Sequence, residues 1–428
     1  MVKKAIVVIT TLFITIGSFA QKSNTSAYSF FGIGDMNSSN TVEQLSMGGI
    51  GVSLKDNFHL NLSNPASLSS LKFTTYALAI ENRNIWAKDK QDNEQGAATY
   101  LSYLAMGIPL GENAGMSFGL LPNTSVGYSL VANTYDTEGN VVEGSMYEGN
   151  GGTNKVFLGL GYEVLKGLSL GFQGNYIFGK IENSTVNQVK NVSLASKYET
   201  ISNVNSFALN AGFLYKTAIS KKMDLHLGGN FDLENDLNAN GKEYLYSLSL
   251  GSTQISRDTI LNVESKGTLS SPIKTTLGVG LGKENKWYAG IDYSFQNALN
   301  LQGNTFSKYS KISYANYSRV SIGGFYTPKF NSIASYWERA TYRAGVKIEK
   351  TGLALDASGN GNDFTPLNDF GISFGVGLPV GKQLSNLNVG FDFGKRGNTS
   401  KGLVQENYFN LRLGLSLNDK WFNKLEIF

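Results

Sequence analysis

The hydrophobic residues of this chain follow a two-residue period from about residue 72 to the C-terminus. Near the end, for example, Leu411, Leu413 and Leu415 alternate with polar or small residues. Because successive side chains of a β-strand point to opposite faces, each such stretch predicts a strand with one apolar and one polar face. The pattern predicts fourteen strands, over residues 72–86, 97–110, 114–131, 152–165, 167–183, 200–219, 222–250, 262–283, 286–299, 311–327, 335–355, 366–380, 385–396 and 404–418.

The connections between these strands alternate between tight turns and longer polar links. Residues 111–113 and 165–167 are tight turns, whereas residues 328–334 form a turn longer than the rest of that set. Tight turns at one end and long loops at the other are typical of an outer-membrane β-barrel, and a soluble β-sandwich, the alternative, does not require them. The links predicted as long extracellular loops are residues 87–96, 132–151, 184–199, 251–261, 300–310, 356–365 and 397–403.

Composition favours the barrel over the soluble alternative. Charged residues make up 16% of the chain, against about 25% in soluble domains, and aromatic residues reach 12%. A lipid-facing wall needs few charges and many aromatic residues at the membrane interfaces. After residue 20 the chain has no apolar run of about eighteen residues, which excludes a helical inner-membrane protein. The net charge of +4 is too small to indicate a nucleic-acid partner.

The N-terminal part of the chain precedes the strands and does not share their pattern. Residues 1–20 have a positive start, an apolar centre and a small-residue cleavage site, which predicts a secretory signal peptide. The alternative, a membrane anchor, is disfavoured by the short apolar run. A fourteen-strand barrel is too wide to be filled by its own wall side chains, so residues 21–71 are predicted to plug the barrel of residues 72–428. The alternative is a disordered periplasmic leader, which the apolar content of this segment disfavours.

The segment "LSMGGIGVSLKDNFHLNLSNPASLSSL" resembles the N-terminal hatch of the FadL-type outer-membrane transporters. That family has a Gly-rich stretch, an Asp, a few apolar residues and then an Asn-Pro-Ala motif before the first strand. Two departures are Ser67, where Gly is common, and Ser63 directly before the motif. The residues that match the hatch pattern are Gly49, Gly51, Asp56, Asn64, Pro65 and Ala66.

The resemblance implies a function as well as a fold. Family members take up long-chain fatty acids and other hydrophobic compounds passively, and a kinked third strand gives the ligand a lateral exit into the bilayer. Here Pro122 lies within the third strand. Because Pro removes a hydrogen-bond donor from the ladder, it predicts either such a kink with a gap or an ordinary bulge without one.

A ligand with a carboxylate head group would need a cation in the lumen. By alternation, Arg343, Lys347 and Arg412 are the candidates on the lumen side. Isolated charges are costly away from water, so the alternative is that these cations pair with carboxylates across the lumen. The carboxylates considered for that pairing are Asp232, Asp292 and Asp392.

No motif in the chain indicates an enzyme. His59 and His226 are the only histidines and lie far apart in sequence, and there is no Cys. A His-based catalytic triad or a multi-His metal site is therefore not expected, and neither is a cofactor. The expected partners are outer-membrane lipids of a Gram-negative bacterium and a hydrophobic small molecule. The resemblance also leaves an alternative, a non-transporting barrel that serves as scaffold or shuttle in a secretion or barrel-assembly complex, because FadL-like barrels have been recruited to type IX secretion.

Overall fold

The strands form one antiparallel sheet that closes on itself. The computed structural model describes residues 24–419, except 31, 91, 251–254, 304–311, 357–360, 362, 382–384 and 400–402. The last strand pairs with the first long strand from Gln405–Lys88 to Asp419–Thr74, which closes the wall. The chain is therefore a closed antiparallel β-barrel of fourteen strands, as the sequence predicts. The predicted signal peptide, residues 1–20, lies outside the described residues.

Several of the fourteen strands of the wall are interrupted, so the wall contains more strand segments than strands. Segments β8 and β9, β10 and β11, β12 and β13, and β14 and β15 follow one another closely, and each pair forms one strand of the fourteen. β13 lies within residues 300–310, for which the sequence predicts a loop. The segments are β1 (Asp35–Met36), β2 (Thr74–Lys88), β3 (Asn93–Pro109), β4 (Ala114–Tyr135), β5 (Val141–Leu165), β6 (Leu168–Val189), β7 (Ala195–Ser220), β8 (Met223–Asp232), β9 (Asn235–Ser249), β10 (Ile255–Ser271), β11 (Lys274–Lys283), β12 (Trp287–Gln296), β13 (Asn300–Gly303), β14 (Ile312–Tyr314), β15 (Tyr317–Tyr326), β16 (Thr341–Leu355), β17 (Thr365–Val380), β18 (Ser385–Gly397) and β19 (Gln405–Asp419).

The two faces of the wall differ as the alternation predicts. Phe172 and Phe207 are 67% and 78% exposed, so the outward face carries large apolar side chains. Their neighbours on the inward face, such as Gly171 and Ser206, are buried. An outward apolar face and an inward polar one are what a barrel wall in lipid requires.

Residues 24–71, called here the N-terminal segment, pack against the inward face of the wall. They contain a short helix, α1 (Val42–Leu45), and two 3-10 turns, Ala27–Phe30 and Pro65–Ser70. Val42 and Leu68 are buried together with Tyr103 of β3 and Phe157 of β5. Within the described residues, no helix is long and apolar enough to cross a membrane.

Several predicted loops are paired strand instead. Residues 132–151 were expected to be one long loop, but β4 runs to Tyr135 and β5 starts at Val141. Residues 184–199 likewise lie mostly in β6 and β7. The sequence does not show this because the apolar stripe ends where lipid contact ends, whereas backbone pairing continues among polar residues.

Candidate functional site

The Asn-Pro-Ala motif starts the 3-10 turn Pro65–Ser70 and ties it to the wall. The side-chain oxygen of Asn64 accepts the N–H of Ala66 at 3.0 Å. The Asn64 amide donates to the backbone oxygen of Phe213 in β7 at 2.9 Å. Pro65 occupies the first position of the turn, where no partner is needed for an N–H. The motif therefore caps the turn and anchors it with one side chain.

Three wall glycines make room for this motif. Gly161, Gly171 and Gly212 lie on β5, β6 and β7 and are buried beneath it. A Cβ atom on Gly171 would overlap the backbone of Pro65 and Ala66, and the other two glycines face the same motif as closely. At Gly161 and Gly171 the wall and the N-terminal segment thus meet backbone to backbone, and at Gly212 the wall backbone meets the Asn64 side chain, contacts that only glycine permits.

Asp292 of β12 holds the Gly-rich part of the N-terminal segment. Its Oδ2 accepts the N–H groups of Gly51 and Val52 at 2.8 and 3.0 Å. Gly49 has φ of +82°, in the left-handed region that favours glycine. The predicted hatch glycines therefore shape a turn whose backbone donors converge on one wall carboxylate.

A third anchor joins α1 to the opposite part of the wall. The Glu43 carboxylate accepts Asn388 Nδ2 of β18 and Ser416 Oγ of β19, each at 2.7 Å. Glu43 itself is buried. Anchors on β7, on β12 and on β18 with β19 thus hold the N-terminal segment from several sides of the barrel.

Asp56 and His59 form an ion pair within the N-terminal segment. Asp56 Oδ1 accepts the N–H of Phe58 at 2.8 Å, and Oδ2 lies 2.9 Å from His59 Nδ1. Burial disfavours the charged form of His59, but the Asp56 carboxylate outweighs it and raises the pKa of His59 above its usual 6.5. Burial opposes the charge on Asp56 as well, and His59 nevertheless holds the pKa of Asp56 below its usual range.

We expect a rise in pH to loosen the segment around His59. Because the folded-state pKa of His59 lies above its unfolded value, its stabilisation is complete below about pH 6.5 and is lost as the pH rises through the folded-state pKa. The midpoint of thermal unfolding, measured from about pH 5.5 to 8.5, should therefore fall on the alkaline side. In the His59→Gln control this decline should vanish, and an equal decline in both proteins would contradict the assignment.

Arg412 is paired on two sides within the wall. Its Nε donates to Glu81 Oε2 at 2.8 Å, and its Nη2 lies 3.3 Å from Asp392 Oδ2. All three side chains are buried. Asp392 was one of the carboxylates considered for such pairing, whereas Asp232 instead accepts the amide of Asn230 at 2.8 Å.

The other two candidate cations have different surroundings. Lys347 Nζ lies 3.2 Å from Asp369 Oδ2 and over the ring of Tyr408. Arg343 Nη1 donates to the side-chain oxygen of Asn388 at 3.0 Å. Among the described residues, no carboxylate lies within ion-pair distance of Arg343. Lys347 and Arg412 line the same interior cavity, whereas Arg343 lines a second, smaller one, so the three cations are not brought together at one position.

Replacing Arg412 by Met is expected to destabilise the barrel by about 3–5 kcal/mol, because it leaves the carboxylates of Glu81 and Asp392 buried without their cation. The check is the temperature at which the folded, fast-migrating form is lost in detergent gels. Lys180→Met is the matched control, since Lys180 pairs with Glu182 at the exposed surface and such pairs contribute about 0–1 kcal/mol. Equal losses in the two variants would show that Arg412 is not held as described.

A polar cavity of about 480 Å³ lies between the N-terminal segment and the wall. Part of its lining comes from the N-terminal segment, including Asp35, and part from strands around the barrel. Arg396 Nη2 lies 2.8 Å from Asp35 Oδ1, so this cation also pairs with the segment. Charged wall residues of the lining include Arg83, Lys155, Asp232, Lys274, Glu349 and Arg396.

Pro122 lies where the pairing between β3 and β4 ends. The two strands pair as far as Leu104 and Leu120, and no further ladder joins them among the described residues. On its other side β4 continues to pair with β5, with a register shift between Pro122 and Thr124. The structure thus contains both a bulge against β5 and an interruption of the wall towards β3, which fits the missing N–H of Pro122.

Comparison with known families gives one match over nearly the whole chain. The BamG family model matches residues 1–427. The chain belongs to the BamG family. A search of the curated proteins found no match. This family label differs from the FadL-type family that the hatch motif resembles.

Solved structures similar to this BamG-family chain include hydrocarbon transporters and a FadL homologue. The Pseudomonas putida toluene transporter TodX is 14% identical with a TM-score of 0.59, over 90% of this chain and 99% of that one. The Ralstonia pickettii toluene transporter TbuX is 13% identical with a TM-score of 0.57, over 88% and 98%. A Pseudomonas aeruginosa FadL homologue is 12% identical with a TM-score of 0.58, over 89% and 98%. At these identities the likeness establishes the fold, an outer-membrane β-barrel shared with transport channels.

Sequence reasoning missed some of the residues that fix this BamG-family interior. Glu43, Asp35 and Arg396 were not singled out, although each makes a buried or partly buried charged contact between the segment and the wall. The available signal was a Glu within the apolar "VEQL" stretch. Asp292 was considered as a partner for a lumen cation and instead binds backbone N–H groups.

Proposed function

We propose that this barrel is a closed, non-conducting subunit of an outer-membrane protein complex, with the N-terminal segment as its fixed plug. The observation that carries the proposal is that several buried charges of the interior are already paired within the chain, as Arg412 is with Glu81 and Asp392. A hydrocarbon passing along these charged side chains would displace their polar contacts and has no hydrogen-bonding group to replace them. Such a charged and paired interior suits a closed barrel better than a channel for hydrophobic compounds.

The anchoring of the segment supports the same proposal. A plug that moves aside for a ligand needs contacts that are easily exchanged. Here the Asp292 carboxylate accepts two backbone N–H groups, and Asn64 bonds to the wall backbone across a glycine-lined contact. Buried hydrogen bonds of this kind are expensive to break without replacement. Membership in the BamG family is consistent with a role among other proteins.

In this proposal the barrel sits in the outer membrane of a Gram-negative bacterium with both termini and the tight turns in the periplasm. The polar strand extensions of β4 to β7 then project on the extracellular side, where partner proteins can contact them. At about 3.3 Å per residue, β7 with its 26 residues is far longer than the roughly 9–11 residues that a membrane crossing requires.

A second candidate is passive uptake of hydrophobic compounds such as long-chain fatty acids, with rearrangement of the plug. Two observations favour it: TodX and TbuX, described as toluene transporters, share the fold, and the wall is interrupted beside Pro122, where a ligand could leave laterally. Arg343, Lys347 and Arg412 are the head-group candidates in that case. Arg343 differs from the other two because its described partner is an amide rather than a carboxylate, and it lines the smaller cavity, whereas Lys347 and Arg412 line the larger one.

Native mass spectrometry of the protein released from its own outer membrane in mild detergent separates the two functions. The closed subunit predicts a complex of fixed protein stoichiometry and no small hydrophobic molecule in the barrel. Uptake of labelled oleate or toluene by proteoliposomes provides the second measurement, with empty liposomes as the control. A bound hydrophobic ligand together with uptake above that control would overturn the closed-subunit proposal in favour of the channel.

A further inference from the structure

The interruption of the wall between β3 and β4 is occupied by the chain's own N-terminal strand. β1 pairs antiparallel with β4, with Asp35 opposite Ser125 and Met36 opposite Thr124. The N–H of Asn37 donates to the backbone oxygen of Asn123 at 2.9 Å and extends this pairing by one bond. β1 therefore pairs with β4 beyond Leu120, where β3 no longer pairs with it.

The N-terminal segment lies between both strand edges of this interruption, called here the seam. Ser29 Oγ accepts the N–H of Gly127 on β4 at 3.1 Å. On the β3 side, a Cβ atom on Gly96 would meet the side chain of Thr25 at 2.7 Å. Met36 is 57% exposed, and it lines the cavity between the N-terminal segment and the wall. The seam is thus filled by the N-terminal segment, which is not continuous in sequence with β3 or β4.

β1 covers only part of the edge that it occupies. It has two residues, whereas β4 continues for fifteen residues from Leu121 to Tyr135 and pairs on its other side with β5. Beside β1, side chains of the N-terminal segment bond to this edge, Asn24 Nδ2 at the Ser125 oxygen and Ser29 Oγ at the Gly127 N–H, and a longer extended strand would replace them with ladder hydrogen bonds. Strand edges with free N–H and C=O groups accept an added strand from another chain, as in β-augmentation.

Arg396 and Glu406, called here the latch, hold the N-terminal segment in the seam from inside the barrel. Arg396 of β18 pairs with Asp35 at 2.8 Å. The Glu406 carboxylate of β19 accepts Ser26 Oγ at 2.8 Å and the N–H of Ala27 at 2.9 Å. These contacts come from β18 and β19 and not from β4, so releasing them breaks no ladder of the barrel. β1 is then held by its short pairing with β4 and by Asn24, whose amide bonds to Asp35 Oδ2 at 3.0 Å and to Ser125 Oγ at 3.2 Å.

We propose that the seam edge of β4 is a docking site for an extended β-strand of a partner protein, and that β1 occupies it in cis until the latch opens. This inference rests on the proposed function as a partner-binding subunit and names the chemistry of the contact. The partner segment recognises backbone N–H and C=O groups in register with residues 121–127, and small side chains suit the close approach at Gly127. The same seam would otherwise be a lateral exit for a hydrophobic molecule, which the experiment below separates from strand docking.

The test uses cysteine cross-linking in the full-length protein, which has no native Cys. The pair Met36→Cys with Thr124→Cys should form a disulfide under mild oxidation, because the two residues are directly opposed. The pair Asn37→Cys with Thr124→Cys is the matched control, since a shift of one residue turns the side chain to the other face. A disulfide in the control but not in the first pair would show that β1 is not seated as described and would overturn the proposal.

Docking in trans is then measured with a synthetic peptide of residues 32–40 that carries Met36→Cys. We expect it to cross-link to the Thr124→Cys protein at least tenfold more when Arg396→Gln opens the latch, and a peptide carrying Asn37→Cys instead to give no such increase. Asp35→Asn removes the same ion pair by changing its carboxylate, and it replaces Arg396→Gln in the experiment if that variant does not fold. The proposal is overturned if Cys at position 124 becomes reactive to a small thiol reagent but not to the peptide, or stays unreactive in both folded latch variants.

The outcome is independent of the test of the proposed function. Ligand uptake without peptide cross-linking would remove both proposals and leave a lateral exit. Peptide cross-linking in a barrel that also takes up oleate would keep the docking site and remove only the closed-subunit function.

Discussion

Replacing Asp292 by Ala is expected to release the middle of the N-terminal segment from the wall. The carboxylate accepts the N–H groups of Gly51 and Val52, and both donors are left without a partner in a buried position. Hydrogen bonds to a charged group contribute about 1.5–3 kcal/mol each, so the local loss should reach about 3 kcal/mol or more. Hydrogen exchange at Gly51 and Val52, followed by mass spectrometry, should become about a hundredfold faster.

Two controls make this result specific. Asp236→Ala removes an exposed carboxylate of β9 that accepts Ser270 Oγ, and it should leave the exchange of the segment unchanged. Asp292→Asn keeps an oxygen that can accept both N–H groups and should retain most of the protection. Unchanged exchange in Asp292→Ala would mean that the segment is held mainly by its other anchors, and the assignment to Asp292 would be wrong.

Replacing Gly171 by Ala is expected to disrupt the seating of the Asn-Pro-Ala motif. The added methyl group would overlap the backbone of Pro65 and Ala66, which cannot move away as a flexible side chain would. Overpacking in a closely packed interior costs about 1–3 kcal/mol and more when backbone must shift. We expect a lower yield of folded barrel, and cleavage of the segment by added protease in the fraction that folds.

Gly174 on the same strand provides the matched control. It is exposed on the outward face, and the nearest atom to an added Cβ is Leu209 Cδ2 at 3.9 Å. Gly174→Ala should therefore fold and resist protease as the unaltered protein does. If the two alanine variants behave alike, the contact between wall glycine and motif is not as tight as the structure describes.

The two variants also bear on the choice between the proposed functions. A segment that only closes the barrel should, when loosened by Asp292→Ala, give ion leakage in planar bilayers without a gain in uptake of hydrophobic compounds. A segment that moves during transport should give faster uptake when its anchor is weakened. Conductance and oleate uptake measured on the same preparation distinguish these outcomes.

The number and position of the strands follow from the sequence alone. Lipid contact requires an apolar side chain at every second position, and this requirement acts on each strand separately. A local pattern is therefore sufficient to place all fourteen strands and the closed barrel that they form. The cap formed by Asn64 is local too, because its acceptor reaches an N–H only two residues away.

The contents of the barrel depend on contacts between residues far apart in the chain. Arg412 meets Glu81 because the last strand closes on the first long one and places the two opposite each other. Asp35 meets Arg396 of β18 because the N-terminal segment packs inside the closed wall, and no spacing in the sequence encodes either pair. The sequence pattern also does not predict the full lengths of β4 to β7, because their polar extensions pair through the backbone and make no lipid contact.

The sequence by itself thus determined a β-barrel with a distinct N-terminal segment, because alternation and capping act over a few residues. Only the tertiary structure decided which charges pair, where the wall is interrupted, and which strand fills that seam. The physical reason is that ion pairing and strand pairing depend on distance in space, and closure of the barrel sets that distance for residues hundreds of positions apart.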